Sequence, residues 1–335
     1  MKLKKIFSIT LALIMGTSLI ACNNSGYKDK KDHDKALQEI DVVLDWYPNA
    51  VHSFIYTAIE KGYFSDEGLK VNLKFPSNPT DPLALPAAGK ADFGMYYLQD
   101  VVMARVNEKI PVKSVGAIVQ SPLNIVLSLK ENNITTPKDL VNKTVGYSSN
   151  PLSEELIKTM LTDNNEDPNS VNLIDVGFEL MSSMTTKQVD ATIGALVNHE
   201  VPVMKKEGHD VNYFSPVDFG VPNYYELVFV TNEKTDSNLS ERFLKGCKKG
   251  FDYTKNNPKD ALKILLDNEE KANFPLTESV EKESLDMLLP LMETDSSKFL
   301  NQEESVWQEN INWLKEKGLI KSSIDAKDVF TNVLN

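Results

Sequence analysis

The chain has 335 residues, a formal net charge of −12 and two cysteines. That length exceeds a single small core, so two lobes are expected, and the acidic balance argues against nucleic acid as a partner. Two cysteines rule out a disulfide framework and a cysteine metal site, and the histidines at 33, 52, 199 and 209 lack ligand spacing, so no metal or cofactor is expected.

Lys2, Lys4 and Lys5 precede an uncharged, mostly apolar run, Ile6 to Ile20, that ends in "LIAC". The run is too short to span a bilayer comfortably and has the flanks of an export leader. Residues 1–21 read as a lipoprotein signal peptide, with cleavage before Cys22 and lipidation of its thiol. An ordinary secretory leader with an incidental cysteine is the alternative. Residues 22–39 are polar and charged, too poor in apolar side chains to fold, and read as a flexible tether. A lipid at Cys22 would then hold a monomeric body outside the cytoplasm, at a cell membrane of Gram-positive type.

From Asp41 onward, strand and helix signals alternate. "DVVLDW" is a β-branched run, "SFIYTAIEKGYF" an apolar-faced helix and "LKVNLKF" a period-two strand. "KADFGMYY" and "VKSVGAIVQ" are strand-like around the helix "LQDVVMARVNE". Such repeats predict an α/β fold with parallel sheets covered by helices. Near residue 124 the chain changes lobe, and the rhythm resumes through "TVGYSS", "VNLIDVG", "DATIGAL" and "DVNYFS". After "VPNYYELVFV" come amphipathic helices without a sheet of their own. They are expected to pack back on the first lobe, giving lobe 1 as 40–123 with 224–335 and lobe 2 as 124–223, joined by two crossover strands.

Ligands of open α/β sheets lie beyond the carboxyl ends of strands, where helix N-termini offer free N–H groups. In "WYPNAVH", Trp46 either stacks on a planar ligand or covers the sheet end. Asn49 either pairs with the ligand or caps the next helix, and His52 is the weaker candidate. Tyr96 and Tyr97 point to opposite faces if their strand continues, so at most one faces the cleft, and Tyr96 is the candidate. Ser148 and Ser149 precede a helix with Asn150 as its cap and Pro151 at its first position, which suits a ligand or a purely structural cap. In "GALVNHEVP", Asn198, His199 and Glu200 fall in a loop, where Glu200 either accepts from an amino group or complements a helix dipole. Tyr224 and Glu226 share one face of the returning strand, and a Glu among such apolar neighbours needs a ligand or a hinge ion pair. No nucleophile–base pair, P-loop or dinucleotide fingerprint occurs, so no enzyme is expected.

Together, "LDWYPNAVHSFIYTAIEKGYFSDEGL", "GKADFG", "TVGYSSNPLSEE", "GALVNHE" and "GVPNYYELV" resemble the substrate-binding lipoproteins of thiamine-pyrimidine-precursor transporters. Their superfamily also holds sulfonate and nitrate binders and the fungal pyrimidine synthases. The resemblance covers about Asp41 to Asn232. It implies a type II periplasmic-binding fold that delivers a small heterocycle to an ABC permease and its ATPase. It also implies that Trp46, Asn49, Tyr96, Ser148, Asn198, Glu200, Tyr224 and Glu226 surround an aminopyrimidine. Family members carry aromatics just before "NHE", where this chain has Leu196 and Val197, which leaves the identity of the pyrimidine open. A sulfonate or other small anion on the same fold is the alternative, although Arg105 and Arg242 are the only arginines. A pyrimidine synthase is the third reading, set against the export signal and the missing cysteine-rich motif.

Overall fold

The computed structural model describes residues 36–149, 151–269 and 274–334. Cys22, the leader, most of the tether and the Asn150 cap lie outside them.

The strands are β1 (Gln38–Val43), β2 (Leu69–Lys74), β3 (Phe93–Tyr96), β4 (Val112–Val119), β5 (Asn124–Leu129), β6 (Thr144–Tyr147), β7 (Asn172–Asp175), β8 (Ala191–Leu196), β9 (Val211–Phe214) and β10 (Leu227–Asn232). They form two five-stranded sheets, ordered β2-β1-β3-β10-β4 and β7-β6-β8-β5-β9. β1 starts at Gln38, inside the stretch read as tether, because Gln38 and Glu39 pair in parallel with Leu69 and Lys70.

The expectation of purely parallel sheets needs correcting. β10 runs antiparallel to both β3 and β4, and β5 antiparallel to both β8 and β9. β5 and β10 are the strands that enter each sheet from the other. A chain that leaves one sheet and returns inserts a strand of opposite direction, while the βα units around it remain parallel.

The helices in chain order are α1 (Ser53–Glu60), α2 (Tyr63–Asp66), α3 (Asp81–Ala87), α4 (Leu98–Met103), α5 (Pro151–Asp163), α6 (Leu180–Thr185), α7 (Glu200–Lys206), α8 (Ser237–Asn256), α9 (Pro258–Asp267), α10 (Glu278–Met292) and α11 (Glu304–Glu316). α8 buries Phe243, Cys247 and Phe251 with Val42, Phe54 and Phe229 of the first sheet layer. α8 meets α1 at a glycine because a Cβ on Gly250 would stand 2.2 Å from the Phe54 carbonyl oxygen. On the other side, Trp307, Ile311 and Leu314 of α11 pack with Leu98, Val101 and Val228. β4 ends the first sheet, and the C-terminal chain covers its edge through bridges at Leu300 and Phe330, which leaves it unavailable for pairing with another molecule.

Candidate functional site

A cleft between the two sheets is walled by residues from the ends of several strands. β1 runs out into Asp45 and Trp46, β3 into Tyr96 and Tyr97, and α4 contributes Gln99 and Asp100 from its first turn. Across the cleft stand Asn124 at the start of β5, Ser148 beyond β6, Leu152, Ser153 and Leu156 of α5, and Gly194 and Leu196 of β8. Tyr224 and Glu226, on the segment that leads back into β10, close the rear. This is where an α/β sheet is expected to hold a ligand. The free volume between these walls is about 40 Å³. A cavity that accepts benzene is roughly 150 Å³, so a heteroaromatic ring enters only when the walls part.

The turn after β1 is organised by its own side chains. β1 ends at Val43, earlier than the run "DVVLDW" suggests, which frees Asp45 and Trp46 from the strand. Asn49 has extended backbone (φ −156°), and its side-chain oxygen accepts from the Val51 N–H at 3.0 Å, capping the short turn Ala50–His52. Its amide donates to the Tyr47 carbonyl at 3.1 Å. The His52 Nδ1 accepts from the Asn49 N–H at 3.1 Å, which leaves the proton on Nε2 to be donated to Asp45 at 2.9 Å. His52 and Asp45 are both buried. His52 therefore fixes the orientation of a carboxylate on the cavity wall and does not itself reach the cavity.

Glu226 is buried at the point where the two crossover segments meet. Its Oε2 accepts from the backbone N–H groups of Leu123 (2.5 Å) and Asn124 (2.8 Å), on the chain leading into β5. The expected hinge ion pair is thus replaced by backbone donors. Burial pushes the Glu226 carboxyl up to about 7, against the lowering effect of those two N–H groups and the Tyr224 hydroxyl, with Asp45 adding to the rise. Burial, and then nearby carboxylates, hold the hydroxyls of Tyr96, Tyr97 and Tyr224 well above the usual tyrosine range. All three are therefore neutral phenols at physiological pH.

Of the residues singled out from sequence, Trp46, Tyr96, Ser148, Tyr224 and Glu226 come together on the cavity wall. Asn49, Asn198 and Glu200 are not on it. Asn49 is occupied in its turn, as described above. Asn198 donates to the Ser284 hydroxyl of α10 at 3.0 Å. Glu200 accepts from the Leu196 N–H at 2.7 Å and lies 3.2 Å from the His199 Nδ1. His199 in turn approaches Glu281 of α10 at 3.8 Å, so the "NHE" segment grips a helix of the first sheet layer. Burial alone would lower the His199 pKa, but Glu200, Glu281 and Asp45 together raise it above its ordinary value.

Tyr97 is on the wall beside Tyr96, contrary to the alternation argument, because β3 stops at Tyr96 and Tyr97 belongs to the turn before α4. Ser149 turns away to Asp175, which accepts from its N–H at 2.9 Å. Sequence reasoning passed over Asp45, Gln99, Asp100 and Asn124. An acid directly before the tryptophan was the available signal for Asp45. Gln99 is held by Asn310 of α11 at 2.8 Å, and the Asn124 side chain accepts from the Gly194 N–H at 3.1 Å.

Aromatic faces and carboxylates therefore make up the polar character of the cleft. Among the described residues, no Lys, Arg or His is on its wall. Arg105 pairs with Glu233 and Arg242 with Gln38, both away from the cavity. No group of three or more His, Cys, Asp or Glu among the described residues is arranged to hold a metal ion.

Residues 49–261 match the family described as NMT1/THI5 like. The chain is 44% identical to the formylaminopyrimidine-binding protein of Halalkalibacterium halodurans, over 99% of each chain. It is 24% identical to a 4-amino-5-hydroxymethyl-2-methylpyrimidine phosphate synthase of Legionella pneumophila, over 88% of this chain and 91% of that one. Among solved structures, it superposes on the alkanesulfonate-binding protein SsuA from Xanthomonas axonopodis pv. citri bound to MOPS with a TM-score of 0.69. That pairing covers 89% of this chain and 99% of the other at 11% identity, and it shows the fold alone. The fold is the type II periplasmic-binding fold that the sequence resemblance implies.

Proposed function

Because the chain belongs to the NMT1/THI5-like family, we propose that it is the extracytoplasmic solute-binding component of an ABC importer, capturing a thiamine pyrimidine precursor between its two sheets. Formylaminopyrimidine is the first candidate, given the full-length relative of that name. The observation that carries this reading is the wall itself: Trp46, Tyr96, Tyr97 and Tyr224 face Asp45, Asp100 and Glu226 with no cation among them. An aminopyrimidine offers flat faces to the rings and exocyclic N–H groups to the carboxylates. A sulfonate would meet carboxylates where it needs arginine forks or amides, so the small-anion reading is disfavoured. A synthase that holds pyridoxal phosphate as a Schiff base needs a lysine, and among the described residues the wall has none.

The ligand set we propose is Trp46, Tyr96, Tyr97, Ser148, Tyr224 and Glu226, with Asp45 and Asp100. We assign lobe 1 to 40–123 with 224–335 and lobe 2 to 124–223. A thermal-shift panel on the soluble body tests the ligand. At a hundred times its Kd, a true ligand stabilises the native state by about 2.7 kcal/mol. Formylaminopyrimidine or hydroxymethylpyrimidine is expected to do so and an alkanesulfonate to have no effect; the reverse pattern removes the pyrimidine assignment.

The anchoring belongs to the same proposal. The "LIAC" stretch and the polar residues after it support a lipid on Cys22, holding a monomer at a Gram-positive cell membrane. Labelled palmitate is expected in the wild-type protein and absent from Cys22→Ala, which should leave the membrane fraction. Equal labelling of both would place the lipid elsewhere.

A further inference from the structure

Phe178 lies in the turn 176–179, between β7 and α6 of the second sheet layer, yet its ring packs on two aromatics that follow β1 of the first. Its centroid is 4.5 Å from that of Trp46, edge-on at 65°, and 4.8 Å from that of Tyr47, tilted by 32°. Tyr47 stacks in turn on Phe274 at 4.1 Å, on the side of the first sheet. The turn that presents Phe178 is braced. Asp175 accepts from the Ser149 N–H at 2.9 Å and from the Gly177 N–H at 3.0 Å, and Gly177 takes a φ of +56° that a residue with a side chain rarely adopts.

Trp46 is on the cavity wall, whereas Phe178 and Tyr47 are not. Phe178 therefore touches the cavity only through Trp46. The free volume of about 40 Å³ between the walls is too small for a heteroaromatic ring, so the walls must separate for entry and exit. At the rear, Glu226 ties the two crossover segments to each other, which makes that side the pivot. At the front, the contact between Phe178 and the Trp46–Tyr47 pair is made by rings of opposite sheet layers. Separation of the walls there breaks it.

We propose that Phe178 is a positioning residue for ligand binding: it forms an aromatic clasp across the cleft, orients the Trp46 ring when the walls close and sets the rate at which ligand leaves. This rests on the reading of Trp46 as the stacking face for a pyrimidine. An edge-on neighbour restrains the tilt of an indole that is otherwise only half-buried. The clasp is already closed in the ligand-free structure, opens to admit the ligand and re-forms over it, so its loss should act on dissociation more than on association.

Two measurements test it. The first is acrylamide quenching of tryptophan fluorescence in the ligand-free protein, where Trp307 and Trp313 are buried and Trp46 is the accessible indole. The second is stopped-flow binding of formylaminopyrimidine. Phe178→Ala is expected to raise the quenching and to speed dissociation about tenfold, with association changed less than about threefold. Phe178→Tyr should restore both to near the wild-type values, and Phe178→Leu, which keeps the bulk without the ring, should restore neither fully. Unchanged quenching and dissociation in Phe178→Ala would overturn the clasp, as would full rescue by Phe178→Leu. If wild-type protein binds no formylaminopyrimidine, the pyrimidine reading falls, and the quenching comparison alone decides whether Phe178 governs Trp46.

Discussion

Replacing Trp46 with alanine is expected to weaken formylaminopyrimidine binding about 100-fold while leaving the urea midpoint of the ligand-free protein nearly unchanged. Stacking of a base on an aromatic side chain is worth roughly 1–3 kcal/mol by alanine substitution, or about five- to 150-fold in affinity, and a tryptophan on an enclosed wall belongs at the upper end. The fold should tolerate the change because Trp46 is half-buried and belongs to neither of the large apolar clusters. Its ring touches Tyr47 and Phe178, and its turn is held by Asn49, His52 and Asp45. Isothermal titration of Trp46→Ala and Tyr47→Ala separates the two functions of this stretch. Tyr47 is off the wall, so its loss should lower affinity far less. If Trp46→Ala unfolds the first sheet, the indole is an anchor of the turn; if it binds as well as wild type, the ring does not stack on the ligand.

The same stretch shows what could be read from the sequence. Aromatics immediately after a strand and before a helix point to a ligand wall, since the end of a parallel strand is where α/β sheets leave a crevice. Tyr224 and Glu226 could be paired by period two because both lie on one extended segment, and both are on the wall. Where periodicity stops, in the loops, residue type alone does not separate a ligand contact from a structural one. An amide in a loop serves a ligand or a cap equally well by composition, and Asn49 and Asn198 are both bonded to protein groups. Tyr97 was misplaced because the strand ended one residue earlier than the alternation assumed. Asp100 lies in the first turn of α4, and nothing local in the sequence says that this helix faces a cleft. Phe178 was invisible for a stronger reason: its neighbours, Trp46 and Tyr47, are more than 120 positions away on the other sheet layer. Strand direction was equally hidden, since a returning strand has the same apolar pattern as a parallel one.

Glu226 supports the second large prediction: ligand-free protein should become less stable as pH rises from about 5 to 8, and Glu226→Gln should remove most of that slope. The carboxyl is raised from 4.5 to about 7 in the native state. Between those values the native state binds more protons than the unfolded chain, so stability falls as pH rises. The contribution is complete below the ordinary carboxyl pKa and is lost as pH climbs through about 7. Each pKa unit is worth 1.36 kcal/mol, so the change is on the order of 3 kcal/mol. His199 and Glu281 are also raised and act in the same direction, which leaves a shallower slope of the same sign in the Gln variant. The carboxylates held below their ordinary values, such as Asp260 and Glu293, titrate on the acid side of this window and do not oppose it. Gln keeps an oxygen to accept from Leu123 and Asn124 without burying a charge. Glu226→Ala instead strands two N–H donors, at a cost of about 1–3 kcal/mol each, and should be the least stable of the three at pH 5. Urea titrations of the three proteins at pH 5.5 and 8.0 give the comparison. A Gln variant with the full wild-type slope would mean that another group titrates, and an Ala variant as stable as wild type would mean that the crossover segments do not depend on Glu226.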